Sequence, residues 1–105
     1  MLPLRVAILW HQHQPYYKKE ETFILPWVRL HGAKDYYDLP AILREFPQIK
    51  QTFNLAPSLM LQIEEYCSDT TRDRIQNLTE ISAEDLTESD KKDILKSFFQ
   101  CNQEL

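Results

Sequence analysis

Leu4-Arg5-Val6-Ala7-Ile8-Leu9-Trp10, followed at once by His11-Gln12-His13-Gln14-Pro15, decides the fold class of this chain. A short apolar run with β-branched residues that stops at an abrupt polar turn reads as a strand. Because apolar residues run on without alternation, the reading is a buried strand in a parallel sheet covered on both faces. Residues 11–33 then form a long aromatic-rich connection broken by Pro15 and Pro26, a length that usually signals function. A helix follows, started at Asp38 and Pro40 and ended by Pro47, with residues 34–38 able to add a preceding turn. Its core face would be Leu39, Ile42, Leu43 and Phe46. Ile49–Asn54 reads as a second strand. Strand, crossover with helix, then strand is the βαβ unit, which favours parallel pairing.

Beyond Pro57 the chain reads as helical and acidic. Residues 57–66 form a helix, with Leu59, Ile63 and Tyr66, or Met60 and Ile63, facing inward. Residues 67–71 break it. Thr87-Glu88-Ser89-Asp90 resembles a capping box, and Ile94, Leu95, Phe98 and Phe99 make one apolar face that should find a partner. The expected class is therefore α/β: one segment spanning 1–105, with a strand, loop and helix part over 1–58 and an acidic helical part over 59–105.

Composition narrows the function. The chain has 105 residues, twelve Lys plus Arg against sixteen Asp plus Glu, and a net charge of −4. An acidic balance argues against nucleic acid as a partner, since phosphate binding relies on basic patches. A single Gly excludes a glycine-rich phosphate loop. Cys67 and Cys101 are too few and too far apart for a disulfide framework or a metal knuckle, and read as free thiols. The apolar run at the amino end is too short for an export signal or a spanning helix, so no membrane partner and a cytoplasmic location are expected. Asn77-Leu78-Thr79 matches a glycosylation sequon, which carries no weight without export.

Charge also locates the chemistry. Residues 1–50 carry seven basic and five acidic side chains, all three His, both Trp and four of the five Tyr. Residues 51–105 carry five basic and eleven acidic side chains. Reactive and binding groups therefore concentrate in the first half. In extended backbone, residues two apart point the same way, so His11 and His13 can converge on one ligand. The carboxyl ends of parallel strands line active sites, and imidazoles there can bond a sugar hydroxyl, move a proton or bind a metal. The plain alternative is two surface histidines. A second cluster combines Trp27, Tyr36 and Tyr37 with Arg29, His31, Lys34 and Asp35, aromatic walls with polar anchors. Against it stands ordinary core packing, the favoured reading for Tyr37. Glu20-Glu21 and Glu64-Glu65 read as solvated surface.

Three blocks in order carry a resemblance: Trp10-His11-Gln12-His13-Gln14-Pro15-Tyr16-Tyr17, then Leu25 through Asp38, then Thr52-Phe53-Asn54-Leu55-Ala56-Pro57-Ser58-Leu59. Together they resemble the opening of glycoside hydrolase family 57. The resemblance implies α-glucan chemistry, as an amylase, amylopullulanase, glucanotransferase or branching enzyme, on a retaining (β/α)7 barrel. This chain would be the amino-terminal βαβ-containing portion. It implies that His13, Gln14 and Pro15, with His11 beside them, belong to the substrate site. The full set of expected substrate contacts is His11, His13, Gln14, Trp27, His31 and Asp35. The family's nucleophilic Glu and acid/base Asp lie far downstream, and no motif here matches either. Retaining hydrolysis needs both carboxylates, so this chain alone should be inactive. No catalytic residue, metal or cofactor is assigned. Exposed sheet edges would make the chain marginally stable or self-associating, or seat it against the remainder of a barrel.

Two rival readings stand. One is a metal-dependent carbohydrate hydrolase, deacetylase-like or α-mannosidase-like, with His11 and His13 on zinc and Asp35 or His31 completing an open site. The other is a non-catalytic glucan-binding module gripping through Trp27 and the tyrosines.

Overall fold

The computed structural model describes residues 3–68 and 71–100. In chain order the elements are β1 (Leu9–Gln12), β2 (Lys18–Lys19), β3 (Thr22–Phe23), α1 (Trp27–Gly32), α2 (Asp35–Ile42), β4 (Thr52–Leu55), α3 (Pro57–Cys67), β5 (Arg72–Asp73), α4 (Arg74–Thr79) and α5 (Glu88–Ser97). They fall into two compact units. The first holds Trp27–Ser68 with the chain up to Tyr16, and the second holds Tyr17–Pro26 with the described residues after Ser68. This division differs from a boundary at 58/59, because α3 packs on α1 in the first unit.

In the first unit, β1 and β4 pair in parallel, with Leu9 opposite Thr52, Trp10 opposite Phe53, His11 opposite Asn54 and Gln12 opposite Leu55. The expected parallel βαβ pairing is therefore present. The strand is shorter and later than the apolar run, however, and it is not covered on both faces. Leu4 and Val6 are 91% and 75% exposed, and of β1 only Gln12 is buried. The physical reason is that β4 offers only four residues to pair with, and the sheet has two strands. His11 accordingly lies within β1 rather than after it.

The connection over 11–33 is not a featureless loop. It contains α1 and, in the second unit, the hairpin of β2 and β3. Lys19 pairs with Thr22, so Glu20 and Glu21 make a two-residue turn, with Glu20 at φ 55°. Both side chains are exposed, as a solvated turn requires. α2 begins at Asp35, in the preceding turn that residues 34–38 can add, so Pro40 lies inside it. That proline cannot donate to the Tyr36 carbonyl, and it follows the first full turn. Beyond Ile42 the chain continues in i→i−3 turns as far as Phe46, where Pro47 intervenes. The expected core face of α2 is not buried: Ile42 and Phe46 are exposed and Leu39 and Leu43 half-buried. A shallow groove of about 400 Å³, lined by Asp35, Asp38, Leu39 and Ile42, runs along it instead.

α3 takes Pro57 at its first turn, where a missing N–H costs nothing. It buries Leu59 and Gln62, with Ile63 and Tyr66 half-buried and Met60 exposed, so the first of the two expected faces is the inward one. Val28 of α1 and Ala56 complete the apolar core of this unit. In the second unit β3 pairs with β5 in parallel, and Phe23 and Leu78 are the buried apolar residues. Asp73 caps α4 by accepting from the Gln76 amide at 2.8 Å. α5 starts with the expected capping box: the Thr87 hydroxyl accepts from the Asp90 amide at 3.2 Å and the Asp90 carboxylate accepts from the Thr87 amide at 3.1 Å. Its apolar face is left open, with Leu95, Phe98 and Phe99 exposed and Ile94 half-buried. Cys67 is a free, exposed thiol, and Cys101 lies outside the described residues. No helix among the described residues is long and apolar enough to cross a membrane.

Candidate functional site

The site grows from the carboxyl ends of β1 and β4. Alternation along β1 sends His11 and His13 to the same side, and their rings stack at 5.9 Å with 7° between planes. Register puts Asn54 opposite His11, and the two side chains meet at 2.7 Å between Nδ1 and Oδ1. An amide oxygen only accepts, so His11 Nδ1 carries the hydrogen, and in the neutral ring Nε2 is the acceptor. Such a ring is fixed in tautomer and orientation, with an acceptor left for a hydroxyl. Both imidazoles are exposed.

Gln12, one residue out of phase, takes the opposite face. It is 6% exposed, and its Nε2 is a buried donor without an acceptor. Its main-chain carbonyl accepts from the Ala56 amide at 3.0 Å. Trp10 donates its indole N–H to Gln51 Oε1.

A second group of side chains begins at Gln14, whose Nε2 donates to the Tyr36 hydroxyl at 3.0 Å. Tyr36 in turn lies against His31, with ring centroids 6.1 Å apart, and His31 lies 6.4 Å from the Trp27 ring. His31 Nδ1 meets the Asp35 carboxylate, one helical turn further along the chain. The carboxylate accepts, so this ring too presents Nε2. Trp27 and His31 come from α1, and Asp35 and Tyr36 from the first turn of α2. The short Ala33-Lys34 link between the two helices makes that convergence possible.

The six residues singled out from sequence therefore form two groups. His11 pairs with His13; Trp27 and Asp35 each meet His31, and Gln14 joins them through Tyr36. Among the described residues no hydrogen bond or ring contact links either His11 or His13 to His31 or Asp35. For the zinc reading, no three of His, Cys, Asp and Glu gather as a metal site among the described residues. Tyr37, given over to the core by the sequence reading, is 62% exposed.

Three participants were not singled out: Asn54, Ser58 and Gln62. Ser58 Oγ donates to the Gln14 carbonyl at 3.0 Å, and Gln62 Nε2 donates to the Pro15 carbonyl at 2.9 Å and to the Ser58 carbonyl at 2.8 Å. Tyr16 donates its hydroxyl to Glu65 at 3.2 Å. A signal for Asn54 existed, since two parallel strands ending in His11 and Asn54 bring those ends side by side. Gln62 carried none, because an amide on the apolar face of a helix looks like an interruption of the pattern.

No match was found among curated proteins or among solved structures. The profile of Glycosyl hydrolase family 57 matches residues 7–103, nearly the whole length, and the chain belongs to that family.

Proposed function

We propose that this chain is the amino-terminal, βαβ-containing portion of a retaining (β/α)7 barrel acting on α-glucan, by hydrolysis or transfer. In this reading His11, His13, Gln14, Trp27, His31 and Asp35 contact the saccharide. The observation that carries it is the stacked His11–His13 pair at the carboxyl end of a parallel strand, with His11 held by Asn54 from the end of the neighbouring strand. The exposed His11 and His13 rings, stacked side by side, suit the hydroxyl pairs of a sugar ring, and Trp27 and Tyr36 offer ring faces for its apolar side. The reading places the catalytic Glu and Asp outside these 105 residues and expects no turnover from the chain alone. The open faces of β1, β4 and α2 favour a further barrel element, or a second copy, as partner. The exposed Cys67 thiol fits a reducing, cytoplasmic setting.

Titration with maltoheptaose followed by NMR, beside a reducing-sugar assay on soluble starch, tests this. Saturable binding that His13→Ala abolishes, without sugar release, is the expected result. Turnover of starch would refute the placement of the carboxylates. Binding that survives His13→Ala but not Trp27→Ala would replace the substrate site with an aromatic binding module.

A further inference from the structure

α3 holds the backbone that carries His13. The carbonyls of Gln12, Gln14 and Pro15 each accept a hydrogen bond from the segment between residues 56 and 62: from the Ala56 amide at 3.0 Å, the Ser58 hydroxyl at 3.0 Å and the Gln62 amide at 2.9 Å. His13 sits between the first two of these clamps. Ser58 and Gln62 stand one turn apart on the same helix face, so one rigid element sets both bonds.

Gln62 is fully buried beside Leu59, where a Leu or Met would fill the space without desolvating an amide. Its Nε2 uses both hydrogens, one on Ser58 of its own helix and one on Pro15. The Gln14 side chain is also tied to Tyr36 at 3.0 Å, but the main chain of the loop is short of a donor. Pro15 has no N–H, and the residue before a proline is kept out of helical backbone. We infer that Ser58 and Gln62 are positioning residues, which set the His13 imidazole and the Gln14 side chain for the saccharide by gripping the main chain between and after them. This rests on the substrate-site reading above.

The test uses the full chain as wild type, Ser58→Ala, Ser58→Thr and Gln62→Met. Tryptophan-monitored melting shows that each variant folds. NMR of the His13 imidazole and the Gln14 side-chain amide reads the geometry without ligand, and maltoheptaose reads binding. Ser58→Ala should fold, move and broaden the His13 and Gln14 signals, and bind about tenfold more weakly, the worth of one lost hydrogen bond. Ser58→Thr should restore both readouts, since it keeps the hydroxyl. Gln62→Met should perturb the same signals. Folded Ser58→Ala and Gln62→Met chains with His13 and Gln14 signals at wild-type positions would overturn the inference. Wild type that fails to bind maltoheptaose would refute the glucan reading alone, because the ligand-free signals still decide the clamp.

Discussion

Replacing Gln12 by Leu should make the first unit more stable. The side chain is 6% exposed and its Nε2 meets no acceptor, so folding strips water from a donor and gives nothing back. An unsatisfied buried donor costs about 1–3 kcal/mol, and removing it with a shape-matched apolar group recovers most of that. The main-chain bond from Ala56 to the Gln12 carbonyl survives the change. A net gain of about 1–2 kcal/mol follows, which at a urea m-value of about 1–1.5 kcal/mol per M raises the midpoint by about 1 M. Trp10 and Trp27 both belong to the same unit as Gln12, so urea titration by tryptophan fluorescence reports the right part of the molecule. Because Gln12 faces away from His11 and His13, maltoheptaose binding should not change. A lowered midpoint would show that the amide has a partner and refute the reasoning. Weakened sugar binding would bring Gln12 into the site.

Asn54→Ala removes the acceptor from His11 Nδ1 while leaving an exposed position apolar, so the chain should fold normally and bind maltoheptaose about tenfold more weakly, with a shifted His11 nitrogen resonance. Thr87→Ala deletes the capping box of α5 and should cost about 1 kcal/mol, read as lost helicity by circular dichroism. The Thr87 hydroxyl, then the Thr87 amide, with the Arg74 charge adding a smaller share, hold the Asp90 carboxyl below its ordinary 3.8. Its contribution is present at neutral pH and is lost as pH falls below 3.8 through the folded-state value; Asp90→Asn should flatten that part of the helicity titration. Glu20→Gly should stabilise the β2–β3 hairpin by about 0.5–1 kcal/mol, since relief of left-handed strain of about 1–2 kcal/mol exceeds the entropy cost of glycine. An unchanged melting curve would count against that strain.

Much of the local structure was legible because its causes are local. Proline at the start of α3 and Thr87-x-x-Asp90 at the start of α5 act within one helical turn, and both elements stand where the residues put them. The hairpin of β2 and β3 escaped because Glu20-Glu21 lacks the Gly or Asn that a left-handed turn position favours. Asp38 and Pro40 look like the start of α2, with residues 34–38 able to add a turn; the helix does begin in that turn, where Lys34 in the cap position offers no side-chain acceptor to mark it. Apolar periodicity over 39–46 and 94–99 said which faces want burial. It did not say whether anything covers them, and here those faces are open.

The site divides along the same line. Placing His11 and His13 on one side needs only the two-residue period of extended backbone, so the order of amino acids sufficed for that, while the stacking and exposure of the rings belong to the folded chain. The His31–Asp35 contact also follows from spacing, since four residues make about one turn across the short link. What only the folded chain decided is long-range: Asn54 beside His11, Tyr36 under Gln14, and Ser58 and Gln62 gripping the loop lie 22 to 47 residues away from their partners. Those pairings depend on strand register and on how α3 is seated. The register is a pairing of distant strands, and α3 is seated with Leu59 and Gln62 buried, so no local rule of backbone geometry contains that information.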